Sequence, residues 1–153
     1  MYQVLLYVHI VCAVIWVGGA FYSQLLAVRT SQSTDPNDLP KLGRQLEFLG
    51  QRVFLPASIL LFLAGAAMVI QSWSFGQAWV AGAVALWILS VIAGAAYLGP
   101  KSKVVAELFE QEGPSSPAAR ALMQRLFLVS RLELVSFAVI IALMVFKPGA
   151  GAA

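Results

Sequence analysis

Charge is scarce in this chain: Asp, Glu, Lys and Arg make up 11% of its 153 residues against 60% apolar. A soluble domain is about one quarter charged, so there are too few charges here to cover a water-facing surface. There is one cysteine, Cys12, and one histidine, His9. A single cysteine excludes an intrachain disulfide, and one His with one Cys makes no zinc set. His9 also has no acid on its own helix to complete a catalytic triad. No glycine-rich turn joins a strand to a helix, which removes phosphate loops and dinucleotide fingerprints. The net charge of +3 comes from basic residues flanking apolar runs, the pattern of a membrane protein rather than a nucleic-acid binder.

Long apolar runs are what the chain has instead, with a mean hydropathy of +0.83. No charge occurs between Val53 and Pro100, and the polar stretch Gln71–Gln77 divides that run into two. Gln3 to Val28 is a further uncharged run, and Leu126 to Phe146 is interrupted only by Arg131 and Glu133. A bilayer core of about 30 Å takes roughly 20 helical residues. The expected architecture is therefore all-α, an integral membrane antiparallel four-helix bundle forming a single transmembrane domain over 1–153, with helices near 3–28, 50–73, 78–99 and 121–147. The first run is too long for a signal peptide and lacks a basic leader. The bilayer is the expected partner and nucleic acid is not. A chain this short is also compatible with a homodimer or a partner membrane subunit.

Basic residues set the expected orientation. Arg29, Lys41, Arg44 and Arg52 surround the first loop, and Lys101, Lys103, Arg120 and Arg125 the third, whereas the second loop has no charge. Cytoplasmic loops carry the Lys/Arg excess, which puts both termini outside. The basic loops include the turn-rich segments 31–38 and 113–117, and Lys101–Gln111 reads as a solvated connector or a short surface helix. Tyr2, Tyr7, Trp73, Phe75 and Trp79 are expected at one interface and Tyr22 and Tyr97 at the other. Trp16 and Trp87 fall in mid-membrane, where an indole N–H needs a partner.

Ionisable residues inside spans are functional candidates by default, and two groups arise. His9 lies about 9 Å below the uncharged edge by helical rise, with Trp16 on the same helix face. Met68 on the second helix reaches a similar depth. An imidazole and a thioether among small residues would suit haem iron. The plainer alternatives are a histidine satisfied by a backbone carbonyl and a methionine filling the core. The second group is Arg52, Arg131 and Glu133 at the basic side, readable as an interhelical clamp or as an anionic-ligand or proton site. By depth the groups are two sites, not one.

The segments Tyr7-Val8-His9-Ile10 and Ala13–Tyr22 resemble the opening helix of HemJ-type protoporphyrinogen oxidases and CopD-like copper-resistance membrane proteins. Arg52–Ala57 resembles their Arg-then-Pro-Ala entry to the second helix. Arg131-Leu132-Glu133 and Phe146-Lys147-Pro148 resemble the HemJ fourth helix, and the whole pattern is closer still to a related family of uncharacterised predicted four-helix membrane proteins. The resemblance implies haem b on His9 in a redox protein of the prokaryotic plasma membrane; the depth of Met68 and the helix face of Trp16 would add a second ligand and a neighbour to the ring. The third helix lacks the lysine and the further histidines of the HemJ pattern, so the resemblance implies the scaffold and a haem ligand rather than the oxidase reaction. A small transporter or accessory membrane subunit is the competing, non-enzymatic reading, and the absence of Met- or His-rich clusters argues against copper carriage.

Overall fold

Without water to hydrogen-bond, a spanning segment has to pair its own backbone, and the helix does so within one segment. The structure, a computed structural model, describes residues 1–33, 35 and 37–149. Among these, four continuous helices carry the chain: α1 (Tyr2–Thr30), α2 (Asp38–Ser72), α3 (Ala78–Glu112) and α4 (Pro117–Phe146). Each contains a stretch of mean hydropathy between 2.0 and 2.5 and presents aliphatic side chains outward, such as Val4, Leu25, Leu63, Leu89 and Val135. The fold is the expected all-helical membrane bundle. α1 packs on α2, α3 on α4, and α1 on α4, closing a four-helix ring.

The helices are longer than expected at the basic end. α2 and α3 each run for 35 residues, about 52 Å, well past a 30 Å hydrocarbon core. The expected starts near 50 and 121 move to Asp38 and Pro117, and the expected end near 99 moves to Glu112. The connector Lys101–Gln111 is thus the end of a spanning helix. The extension of α2, Asp38–Leu49, buries Leu39, Pro40, Leu42 and Gly43 on one face. That face meets α3, where Leu39, Val105 and Phe109 form a core with Ala119, Met123 and Leu126 of α4. At Gly43 the backbones come so close that a Cβ would lie 2.8 Å from both Ala106 Cβ and the Ser102 carbonyl oxygen. Outside this contact Arg44 forks onto Glu110, with Nε and Nη2 donating at 2.8 Å to its two oxygens. Thr34 and Pro36 of the expected turn segment lie outside the described residues.

The opposite end is tied by aromatics. Trp73 and Trp79 meet edge to face at 5.4 Å, and the Lys147 ammonium sits 4.4 Å from the Trp73 ring centre, a cation–π contact. Lys147 takes the left-handed conformation at φ 43°, and its N–H still closes α4 on the Leu143 carbonyl. Trp79 is buried at 3% exposure, so it packs in the bundle end instead of joining an interfacial belt. Tyr7, Tyr22 and Phe75 are exposed as an aromatic belt requires. Trp87 finds its partner in mid-membrane: its Nε1–H donates to the Ser58 carbonyl at 3.2 Å while the indole stacks on Phe62.

Three of the helices are not α-helical throughout. π-helical segments occupy Val14–Gly18 in α1, Gly50–Phe54 in α2 and Ala93–Leu98 in α3. Two precede a proline, Pro56 and Pro100. A proline has no N–H to give, so one carbonyl within Gln51–Arg52 and one within Ala95–Ala96 have no intrahelical partner. These segments touch one another, the α2 segment lying between the other two.

Candidate functional site

The three π-helical segments border one cavity of about 540 Å³, within the size range of small-molecule sites. Its wall runs along α3 from Ser90 to Val105, about 22 Å by helical rise, so it is elongated along the bundle. The end toward the lipid centre is aromatic. Trp16 and Phe137 pack there with ring centres 4.6 Å apart, and Phe54 joins them from α2. The basic end is aliphatic, closed by Leu39, Leu42 and Leu126.

Between these ends polar groups converge: Ser23 and Gln24 from α1, Arg52 from α2, Ser102 from α3, Ser130 and Glu133 from α4. Two are anomalous. Ser23 and Gln24 are each 8% exposed, and neither the Ser23 hydroxyl nor the Gln24 amide nitrogen has a hydrogen-bond partner. A buried donor left unpaired costs about 1–3 kcal/mol; such groups are rare in native structures, and here both border a space that can hold a partner. Gln24 Nε2 donates only, so what it lacks is an acceptor.

Arg52 and Glu133 share this cavity as their common depth implied, but no ion pair within 4.0 Å joins them. Glu133 instead approaches α3, its Oε1 lying 3.9 Å from where a Cβ on Gly94 would be. Arg131 is exposed and does not border the cavity, two residues from Glu133 and hence on another side of the helix. The expected three-residue group is therefore a facing pair, with Arg131 outside it.

His9 belongs elsewhere. Its Nδ1 lies 2.8 Å from the Leu61 carbonyl oxygen, across the α1–α2 crossing. A carbonyl only accepts, so Nδ1 carries the proton and Nε2 the lone pair. The ring fills the notch left by Gly65, where a Cβ would lie 2.9 Å from His9 Cε1. Met68 is buried on α2 one turn beyond Gly65, so imidazole and thioether succeed each other along one helix face and do not oppose across a gap. The small residues expected to leave room for a ring are taken up by packing: Gly82 faces Leu143 and Ala64 is buried. A porphyrin plane held between His9 and Met68 does not fit this crossing. Trp16, expected beside them, is on the cavity wall instead. Among the described residues no three His, Cys, Asp or Glu side chains gather as a metal site.

Ser23, Gln24 and the other serines of the cavity wall are the candidate residues that sequence reasoning passed over. They carry no charge, and the search for ionisable groups inside spans is blind to neutral donors. The signal present was Pro56 and Pro100, each a break in a spanning helix, which membrane proteins tolerate where the freed backbone borders a cavity.

Because Gln24 spends desolvation free energy on an unpaired amide, removing it should help the empty protein. Gln24→Leu is expected to raise the unfolding free energy by about 1 kcal/mol, measured by thermal denaturation in detergent after lipid removal. A loss of stability would show that the amide is paired after all.

No curated protein and no solved structure gives a significant match to this chain. One family model does match, described as a predicted integral membrane protein (DUF2269), and it covers residues 3–148, from the first turn of α1 to the proline after α4. With that coverage, and with four apolar helices of membrane length in the fold, the chain belongs to the DUF2269 family of predicted integral membrane proteins.

Proposed function

We propose that this protein is a membrane-embedded binding protein that holds one amphipathic small molecule inside its bundle, a non-enzymatic role distinct from the small transporter or accessory subunit that the sequence suggests. The observation that carries this is the pair Ser23 and Gln24, buried and unpartnered on the wall of the 540 Å³ cavity. An acceptor oxygen on a ligand head would satisfy them. Apolar stretches on both sides of the polar band, Trp16 and Phe137 on one and Leu42 and Leu126 on the other, suit a hydrocarbon portion. Dansyl-undecanoate titrated into the purified protein should bind saturably, one per chain, with energy transfer from tryptophan. Ala20→Phe, which fills the cavity from α1, should weaken binding about tenfold, or roughly 1.4 kcal/mol. Unsaturable partitioning, identical in both proteins, would overturn the proposal.

The orientation follows the basic residues: the loops near 31–37 and 113–116 face the cytoplasm and both termini face out. A membrane-impermeant thiol reagent should then label Ser74→Cys from outside intact cells and miss Ser115→Cys. The opposite pattern would invert the topology.

A second reading retains haem, on one observation. Nδ1–H bonded to a carbonyl leaves Nε2 as the free donor atom, the arrangement that metal-ligating histidines use. On this reading His9 would hold haem b through Nε2, since Nδ1 is taken by the Leu61 carbonyl. Such a group supplies electron-transfer chemistry; His9 would hold it, and the Leu61 carbonyl would fix the tautomer. Expression with ample haem should then give a Soret band that His9→Ala abolishes. Colourless protein, or a band that survives the substitution, would remove haem from the account.

A further inference from the structure

Most residues bordering the cavity are buried or half-buried, and the exceptions cluster. Gln51 and Arg52 in the π-helical segment of α2, and Ala95 in that of α3, are exposed while also lining it. The exposed part of the wall is therefore at the side of the bundle, on α2 and α3. These helices pack tightly at their basic ends and meet far less within the membrane. The side chain at the rim is a guanidinium, which has five donors and no acceptor. The wall contributed by α4 carries a carboxylate, Glu133, beside Gly94.

An unpaired carboxyl group on a membrane cavity is expensive, and contact with the exposed Arg52 at the rim would lower that cost. The two do not touch. A bound head carrying both signs would replace the missing ion pair, its anion meeting Arg52 and the Gln24 amide and its ammonium meeting Glu133. A head of both signs supplies a partner to each group, whereas a purely anionic head leaves Glu133 without one and a purely cationic head leaves Arg52 without one. We infer that the ligand is a zwitterionic membrane amphiphile, a phosphate or carboxylate followed by an ammonium on a hydrocarbon tail, entering sideways from the bilayer between α2 and α3. This rests on the binding function proposed above and names its substrate class.

Displacement of bound dansyl-undecanoate tests it. Lysophosphatidylethanolamine should displace the probe at about tenfold lower concentration than lysophosphatidylglycerol of the same chain length, and phosphoethanolamine without a chain should not displace it. Glu133→Gln should erase the preference between the two lipids, and Arg52→Gln should weaken both about equally. Glu133→Asp and Arg52→Lys, which keep the charges, should retain the preference and so guard against misfolded variants. Ala95→Phe at the rim should slow probe association while leaving the order of lipids intact. Equal displacement by both lipids, a preference that survives Glu133→Gln, or displacement by phosphoethanolamine alone would overturn the inference and leave the binding function standing. Failure of the probe itself to bind saturably would remove both.

Discussion

Backbone hydrogen bonding in a solvent that offers none is the constraint on which this structure depends. Each unpaired N–H or C=O in hydrocarbon costs several kcal/mol, which is why nearly every described residue is helical. The same constraint gives weight to the exceptions. Gly50–Phe54 and Ala93–Leu98 depart from α-geometry just before Pro56 and Pro100, and the segment in α1 joins them. All three border the cavity. π-Helical turns and prolines are tolerated where freed backbone finds a partner or a polar space, and π-bulges are frequent at functional sites. Three such departures on three helices at one void mark it more specifically than any single side chain does.

Much of the fold was legible in the amino-acid order, and much of the site was not. The four spans follow from uncharged runs long enough to cross a bilayer, and residues such as Val53–Ser72 have no other stable environment. The basic-end extensions escaped notice because Asp38–Leu49 is amphipathic rather than apolar: Lys41, Arg44 and Glu47 on one side conceal the apolar face of Leu39 and Leu42. Depth grouped Arg52 with Glu133, and both border the cavity. It left the angle around the helix open, and the angle is what turns Arg131 outward. For His9, one of the two readings, satisfaction by a backbone carbonyl, matches the bond to Leu61. What admits the ring at that crossing is Gly65, where a Cβ would lie 2.9 Å from His9 Cε1, and a glycine's partner is not written in its own sequence position.

Polar groups divide into two kinds in this bundle. Some complete the packing: Trp87 donates to Ser58, Ser58 donates to Leu55, and His9 meets Leu61, each pairing a side chain with a carbonyl from a spanning helix. Others, Ser23 and Gln24 among them, complete nothing in the chain itself. Satisfied polar groups in a membrane fix helix register. Unsatisfied ones at the edge of a void cost stability without such a return, and that contrast separates the architectural residues from the candidate functional ones.

The two ends of the bundle are bound in different ways. At the uncharged end Lys147 reaches from beyond α4 onto Trp73 and Trp79, pinning the chain's tail to the turn between α2 and α3. At the basic end α2 and α3 are held by the Gly43 contact and the Arg44–Glu110 fork, and both carry a proline and a π-helical turn between that contact and the pinned end. The molecule is thus built like a clothes-peg: a fixed spring at one end, a gripped pair of jaws at the other, and two aligned weak points between them. Since the π-helical segments of α2 and α3 touch each other between these ends, a bend in one helix there would be carried to the other, while the Gly43 contact and the Lys147 cation–π contact hold the two ends together.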